Sequence, residues 1–391
     1  MIPLCIPEIR GNEWKYLKAC LDTGWVSSAG PFVDRFEREM AAYVGSPHSI
    51  ATVTGTAGLH VALKMIGLQP DEEVIVPDLT FVASVNAVRY CQAHPVFMDV
   101  DSQTWQMDPE KLERFLTTEC EPRESQCFNK LSGRRVRAVL PVHVFGNACE
   151  IDRIVDLAKQ YGLRVVEDAA GSIGVRYKGR HVGTFGDAGV ISFNGNKTIT
   201  AGGGGMIFTS DPERAKYARY LTTQAKNEGL EFFHMEVGFN YRLSNLHAAI
   251  GVAQLELVEE FLEKKRSIAK RYNEAFRDFA DITVMPATPH TEAAYWQYML
   301  LLAAGTTIEK RKAVLKGLFD NGVAARPFWH PIHSLPPYKA YQAYQIEHSV
   351  RLYERGIGLP CSVGLSSNDL EKAIATFKKV VTAVLSQSCV G

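Results

Sequence analysis

One lysine between two strand-like runs constrains the fold of this chain more than any other feature. The run 190–193 is apolar and β-branched, which predicts a buried strand. A turn containing Lys197 follows, and four glycines at 202–205 lead into a second strand-like run at 206–209. The sequence therefore predicts a lysine on a tight loop between two strands, where the backbone can approach a ligand closely.

The lysine loop has three competing interpretations. Lys197 can be an ordinary surface lysine, and the glycine run can be a flexible hairpin. A phosphate-binding loop is disfavoured, because the order GxxxxGK[ST] places the glycines before the lysine and here they follow it. A Schiff-base lysine becomes the better interpretation if the chain also supplies an acid for a cofactor ring and a site for a phosphate.

Two carboxylates end another predicted buried strand. The run 163–168 finishes with Glu167 and Asp168, and ligands of open α/β sheets bind at the carboxyl ends of the strands. We expect one acid to be ion-paired or capping and the other to face a ligand. Asp168 precedes three small residues, 169–171, which leave room for a planar group.

A helix start supplies a candidate phosphate site. A short strand at 50–53 is followed by small and hydroxylic residues at 54–58, which open a helix. Free backbone N–H groups and the helix dipole make such a start an anion site, and Thr54 and Thr56 add hydroxyl donors. The alternative is a plain N-cap at either threonine, and the two interpretations carry equal weight.

Predicted strands and helices alternate from residue 49 to about residue 225, which indicates an α/β fold with a mostly parallel sheet covered on both faces. A long helical pattern then runs through Phe279. We divide the chain into a large domain with an N-terminal arm, residues 1–254, and a smaller α+β domain, residues 255–391. The polar stretch 117–135 is expected to be an irregular, exposed insertion.

Composition excludes several classes of partner. The 391 residues carry a formal net charge of zero, so bulk charge does not support a nucleic acid or an anionic membrane as partner. We find no apolar run long enough to span a bilayer and no signal peptide. The eight cysteines form no CxxC or zinc-like cluster, so we expect no metal site, free buried thiols and a cytoplasmic location.

The lysine, the aspartate and the helix start together form the set that pyridoxal phosphate requires. The lysine forms an imine with the aldehyde of this cofactor, and the carboxylate keeps the pyridine nitrogen protonated. Backbone and hydroxyl donors hold the phosphate. The sequence therefore predicts a pyridoxal 5'-phosphate enzyme with Lys197 and Asp168 as its catalytic residues.

Five motifs resemble the DegT/DnrJ/EryC1/StrS family of pyridoxal-phosphate sugar aminotransferases, of fold type I. The resemblance covers nearly the whole chain. The motifs are GTAGLHVAL at 55–63, PDLTFVAS at 77–84, VEDAAGSIG at 166–174, SFNGNKTITAGGGG at 192–205 and GFNYRLSNLHAAIGVAQL at 238–255.

The resemblance assigns cofactor-binding roles to single residues. Lys197 matches the imine-forming lysine, and Asp168 matches the acid at the pyridine nitrogen. Asn240 matches an asparagine that reaches the cofactor phosphate of the partner subunit, which implies a homodimer with shared active sites. Position 171, where many relatives carry Gln, His or Glu, is glycine here, so Ser172 or a water is expected to replace that contact. The other implied cofactor-binding residues are Gly55, Thr56, Ala57, Ser192 and Asn194, with Phe81 and Ala170 on the two faces of the ring; Phe81 could also be core.

Within the family, the chain looks most like the branch that aminates C4 of nucleotide-linked 4-keto-6-deoxy-N-acetylhexosamines, with L-glutamate as amino donor. The alternatives are a 3-aminotransferase, a 3-dehydratase (relatives of that kind carry histidine at position 197), a non-enzymatic regulator and an ATP-binding protein. The residues expected near the sugar nucleotide are Trp25, Ser28, His143, Trp329 and His330; His143 also has a structural interpretation.

Overall fold

The computed structural model describes residues 1–124, 126–227 and 231–386. Its strands are β1 (His48–Thr52), β2 (Glu73–Pro77), β3 (His94–Met98), β4 (Cys120–Arg123), β5 (Gln126–Asn129), β6 (Val136–Val139), β7 (Arg164–Asp168), β8 (Arg176–Tyr177), β9 (Arg180–His181), β10 (Ala188–Ser192), β11 (Gly205–Thr209), β12 (Ile282–Val284), β13 (Thr291–Glu292), β14 (Tyr298–Leu302), β15 (Arg326–Pro327), β16 (Ala343–Tyr344) and β17 (Gly356–Leu359).

The remaining regular elements are α-helices and two short 3₁₀ turns, at Val144–Gly146 and Ile332–Ser334. The α-helices are α1 (Glu13–Thr23), α2 (Pro31–Val44), α3 (Gly55–Met65), α4 (Ala83–Tyr90), α5 (Pro109–Thr118), α6 (Ile151–Gln160), α7 (Pro212–Thr222), α8 (Asn245–Leu255), α9 (Val258–Phe276), α10 (Ile308–Asp320), α11 (His348–Arg355) and α12 (Ser367–Ser386).

Eight strands form one large sheet in the order β1-β11-β10-β7-β6-β2-β3-β16. All neighbours from β10 to β16 are parallel, whereas β11 is antiparallel to both β1 and β10. Every residue of β2 and β11 is buried, because helices cover both faces of the sheet. The predicted α/β fold with a mostly parallel, doubly covered sheet is confirmed.

A second, antiparallel sheet has the order β12-β14-β17-β15 and packs against α9, α10 and α12 through a separate hydrophobic cluster. Two segments cross between the sheets. Ile2 forms a bridge with Val323 beside the small sheet, and β16 joins the edge of the large sheet although it comes late in the chain. The division at residue 254 stays a prediction.

The stretch 117–135 differs from its expected irregular structure. It contains the end of α5 and the antiparallel hairpin β4–β5. Cys120 and Cys127 are buried in the same hydrophobic cluster as Leu116, because the two strands alternate between a core face and a solvent face. The cysteines therefore give this polar stretch a buried side; Ser125 lies outside the described residues.

The helical pattern through Phe279 is also wrong in its continuity. The structure has two helices, α8 and α9, with a break at 256–257. Across the described ranges, helices fall short of the length and apolarity needed to cross a membrane. Six of the seven described cysteines are buried free thiols and Cys5 is half-buried; Cys389 lies outside the described residues.

Candidate active site

A cavity of about 360 Å³ lies beside Lys197, at the carboxyl ends of β7 and β10. Its volume is within the usual range for small-molecule sites, and sheet edges of this kind bind ligands in α/β folds. The residues expected at the site that do line this cavity are Gly55, Thr56, Phe81, His143, Asp168, Ala170, Ser192, Asn194, Lys197 and Trp329.

Lys197 lies on the loop between β10 and β11, as the sequence predicted. The loop turns tightly, since the backbone N–H of Lys197 donates to the carbonyl oxygen of Asn194 at 3.0 Å. Burial lowers the pKa of the Lys197 amine to about 8, although the charges of Asp168 and Cys5 act in the opposite direction. A lysine with a lowered pKa has a larger neutral fraction near physiological pH than an ordinary lysine, and the neutral amine can attack a carbonyl or accept a proton.

Glu167 is the structural member of the acid pair. Its carboxylate accepts backbone N–H bonds from Gly183, Phe185 and Gly186 at 2.7, 2.6 and 2.7 Å. The same carboxylate lies 3.0 Å from Nε2 of His143. A fully buried carboxylate needs such partners, and through them Glu167 connects the loop after β9 to the end of β7. Glu167 does not line the cavity.

Asp168 lines the cavity and is held in one orientation. Its Oδ2 accepts a hydrogen bond from the hydroxyl of Ser84 at 2.6 Å, and its Oδ1 accepts from the backbone N–H of Ala170 at 2.9 Å. Ser84 lies in the first turn of α4 and was not singled out in the sequence, although it ends the motif at 77–84. These two donors orient the Asp168 carboxylate.

His143 lines the cavity, but its side chain is fully buried and both ring nitrogens have internal partners. Nδ1 accepts from the backbone N–H of Cys149 at 3.1 Å, so Nε2 carries the hydrogen that is donated to Glu167. Its polar atoms are therefore engaged in holding the end of β7. The structural interpretation accounts for both nitrogens, and a polar contact from His143 to a substrate gains no support.

The start of α3 is a capped helix end whose first residues also line the cavity. The Thr54 hydroxyl accepts from the backbone N–H of Ala57 at 3.0 Å, so Ala57 has its donor occupied and does not line the cavity. Gly55 and Thr56 precede it and do line the cavity. A β-carbon at Gly55 would lie 2.9 Å from the β-carbon of Ser192, so glycine permits the close approach of α3 to β10.

Aromatic side chains form one wall of the cavity. Phe81 is 57% exposed and lies 6.1 Å from the ring of Trp329, which stacks on Phe145 at 4.8 Å. Trp296 and Gln297 also line the cavity and were missed in the sequence. They directly precede β14 of the small sheet, so only the tertiary fold brings them to the lysine loop.

Ser172 and His330 do not line the cavity. Ser172 is fully buried, and its hydroxyl donates to the carbonyl oxygen of His143 at 2.8 Å. The structure therefore gives no support for Ser172 as the replacement for a side chain at position 171. The His330 ring lies 4.6 Å from Tyr353 and next to the Ser334 hydroxyl, on an exposed part of the chain.

Asn240, Trp25 and Ser28 also lie outside the cavity of their own chain. Asn240 is exposed and forms a bridge with Thr223. The loop with Trp25 and Ser28 is fixed by Asn245 at the start of α8, whose side-chain amide donates to the carbonyl oxygen of Trp25 at 2.8 Å. Their expected contacts with a cofactor or a sugar nucleotide stay predictions.

The donor set of the cavity fits pyridoxal phosphate. Lys197 offers an amine of lowered pKa, and Asp168 offers an oriented carboxylate. The start of α3 offers backbone and hydroxyl donors next to Ser192, where glycine keeps the space open. Fold and site together define a fold type I transferase that depends on pyridoxal phosphate.

Comparison with known proteins gives the family. Residues 7–378 match the DegT/DnrJ/EryC1/StrS aminotransferase family, and the chain belongs to that family. It is a sugar aminotransferase of nucleotide-sugar biosynthesis that uses pyridoxal 5'-phosphate.

Individual relatives match over nearly their full lengths. The chain is 37% identical to a GDP-perosamine synthase of Caulobacter vibrioides over 97% of this chain and 98% of that protein. It is 37% identical to a GDP-perosamine synthase of Escherichia coli O157:H7 over 94% of this chain and 95% of the relative. A DegT DnrJ EryC1 StrS aminotransferase from Brucella abortus superimposes with a TM-score of 0.86 at 30% identity, covering 94% of this chain and 95% of that structure.

Proposed function

We propose that the protein transfers an amino group from L-glutamate to the C4 keto carbon of a nucleotide-linked 4-keto-6-deoxy-N-acetylhexosamine. The observation that carries this proposal is the placement of Lys197, with its lowered pKa, and the oriented Asp168 in one cavity. The relatives named GDP-perosamine synthase support a nucleotide-sugar substrate. The stretches 24–37 and 192–197, together with the insertion 117–135, support the N-acetylhexosamine branch by resemblance.

Each residue of the cavity has a distinct task in this proposal. When bound, pyridoxal phosphate supplies an aldehyde for imine formation and a ring that takes up the electron pair of a carbanion. Nζ of Lys197 takes the proton from the α-carbon of the amino donor and later returns a proton to the sugar C4. The Asp168 carboxylate holds a proton on the pyridine nitrogen, and Gly55, Thr56 and Ser192 hold the phosphate.

A homodimer with shared sites is part of the proposal. The segment before Asn240 exposes four apolar side chains, among them Phe232 at 78% and Val237 at 84%, with Phe233 and Met235 between them. Clustered exposed apolar side chains mark contact surfaces. A second copy docked there would bring its Asn240 toward the cofactor phosphate, and the loop with Trp25 toward the sugar nucleotide.

The test is a substrate panel. The purified protein is incubated with L-glutamate and UDP-, GDP- or dTDP-linked 4-keto sugars, with and without the N-acetyl group. We expect one nucleotide series to give a 4-amino product and an equal amount of 2-oxoglutarate, measured by mass spectrometry and NMR. Nitrogen at C3 would instead show a 3-aminotransferase, and loss of a hydroxyl group without gain of nitrogen would show a dehydratase. Inertness toward the whole panel would contradict the proposed substrate class.

A further inference from the structure

A side chain at position 171 would overlap the indole of Trp296 at the edge of the cavity. A β-carbon at position 171 would lie 2.3 Å from Cε3 of Trp296 and 3.0 Å from Cδ2. The φ angle of Gly171 is outside the left-handed region, so its backbone does not require glycine. The indole is therefore the feature that excludes a side chain at position 171.

Trp296 is held in this volume from several sides and is only 5% exposed. Its Nε1–H donates to the carbonyl oxygen of Asn196 at 2.7 Å. Two residues before it, Ala294 donates its backbone N–H to the carbonyl oxygen of Gly146 at 2.8 Å. A β-carbon at Gly146, whose φ is 84°, would lie 2.4 Å from the backbone nitrogen of Trp296. The indole therefore has little freedom to move away from position 171.

The face of this indole covers the Lys197 amine. Nζ lies 3.5 Å from the centroid of the Trp296 ring. The neighbouring carbonyl oxygen of Asn196 already accepts bonds from the indole and from the Cys5 thiol at 3.1 Å. An ammonium at this point would interact with the ring face, but it would lose its contacts with water. Such a loss disfavours the charged form, and burial can lower the pKa of a lysine by several units. The charged or titratable groups that act on the amine are Asp168 and Cys5.

We propose that Trp296 is a positioning residue for Lys197, and that glycine at position 171 leaves the space that the Trp296 indole occupies. The indole excludes water from the amine, keeps its neutral form populated and directs it along the ring surface toward the cavity. The proposal rests on the proposed function only in that it takes Lys197 as the lysine that meets the cofactor. Burial is also the largest cause of the lowered Lys197 pKa.

The experiment measures the Lys197 amine directly in cofactor-free protein. Acetic anhydride labels only neutral amines, so the pH profile of Lys197 acetylation, read by peptide mass spectrometry, gives its pKa. We expect a wild-type midpoint at about pH 8. In Trp296→Ala we expect a midpoint higher by about one pH unit or more, because water then solvates the ammonium. Trp296→Phe should move in the same direction by less.

Gly171→Ala tests the shared volume. Its β-carbon should displace the indole and raise the Lys197 midpoint as Trp296→Ala does. In the Trp296→Ala background the same change should add nothing, because the clash is gone and the two effects are coupled. The matched control is Gly195→Ala, on the lysine loop itself, where an added β-carbon meets no atom within 4 Å; its midpoint should equal that of the wild type.

Native circular dichroism is required of every variant. If Trp296→Ala does not fold, Trp296→Phe and Gly171→Ala still decide the question. The proposal would be overturned if the Lys197 midpoints of the folded Trp296 and Gly171 variants stayed within about 0.3 pH unit of the wild type. Additive effects of Trp296→Ala and Gly171→Ala on the midpoint would also overturn it. The substrate panel is independent of these profiles, so a protein that transfers no amine but shows coupled midpoints would contradict the proposed function alone.

Discussion

The cavity and the exposed segments around Trp25 and Asn240 differ in whether their side chains have partners within the chain. In the cavity, Asp168 has a hydroxyl and a backbone N–H as partners, and Lys197 is covered by an indole. In the exposed segments, apolar side chains such as Val237 face solvent. Asp168 and Lys197 are therefore positioned by residues of their own chain, whereas Trp25 and Asn240 lie away from the cavity of that chain.

The largest effect is expected inside the cavity. Lys197→Ala should reduce amine transfer by about 10⁴-fold or more, because the residue supplies both the nucleophilic amine and the proton carrier. Borohydride treatment should fix the cofactor on the peptide with Lys197 in the yellow wild-type protein and on no peptide of the variant. Colourless wild-type protein that stays colourless with added pyridoxal phosphate would show that the cavity does not serve this chemistry.

The two neighbouring acids should separate turnover from stability. Asp168→Asn should lower kcat by about 10²–10³-fold with little loss of cofactor affinity, because an amide cannot hold the proton on the pyridine nitrogen while the phosphate donors survive. Cofactor titration by absorbance and steady-state kinetics measure the two quantities.

Glu167→Gln is the matched control for Asp168→Asn. It should destabilise the fold by about 2–3 kcal/mol, since three backbone N–H groups and His143 lose a charged acceptor. Its kcat should fall less than that of Asp168→Asn. Near-normal turnover in Asp168→Asn would mean that another group serves the pyridine nitrogen.

Mixing two impaired proteins tests whether the exposed segments complete a site in another chain. Lys197→Ala and Asn240→Asp are each expected to be poorly active. After subunit exchange, a mixed dimer has one site with an intact lysine and an intact Asn240 from the other chain, so an equal mixture should regain about a quarter of wild-type activity. Exchange is confirmed by tagged pull-down. Activity that stays at the level of the separate variants would place Asn240 with its own chain or with no site.

The smallest effect concerns pH and stability without cofactor. Lys197 has a pKa near 8 in the folded protein and 10.5 as its ordinary value, so between these values the unfolded chain binds more protons. Its contribution to the free energy of unfolding therefore rises with pH in this window. Relative to Lys197→Met, the wild type should gain about 1–2 kcal/mol from pH 8 to 10.5, less than the full shift because the lysine is partly exposed. The free energy of unfolding of both proteins is measured by urea titration at several pH values. The same pH dependence in the wild type and in Lys197→Met would contradict the lowered pKa.

Local patterns were sufficient where a function depends on neighbouring residues. The lysine between β10 and β11, the helix start at Gly55 and the acid pair that ends β7 each lie within one short run. Apolar runs and the small or hydroxylic residues beside them were therefore sufficient to predict each feature. The hairpin β4–β5 was missed because its polar residues mask the alternation. Its two cysteines lie in one hydrophobic cluster with residues of α5 and the large sheet, which the sequence alone does not reveal.

The sequence by itself determined the α/β fold, the lysine–aspartate pair and the family, because each depends on short runs whose order along the chain is sufficient. The tertiary structure alone showed what occupies the other acid, Glu167, which accepts three backbone hydrogen bonds from the loop after β9. It also revealed Ser84 behind Asp168 and Trp296 over Lys197. These contacts join segments far apart in the chain, and hydrogen bonding and steric exclusion act only once folding has brought those segments together.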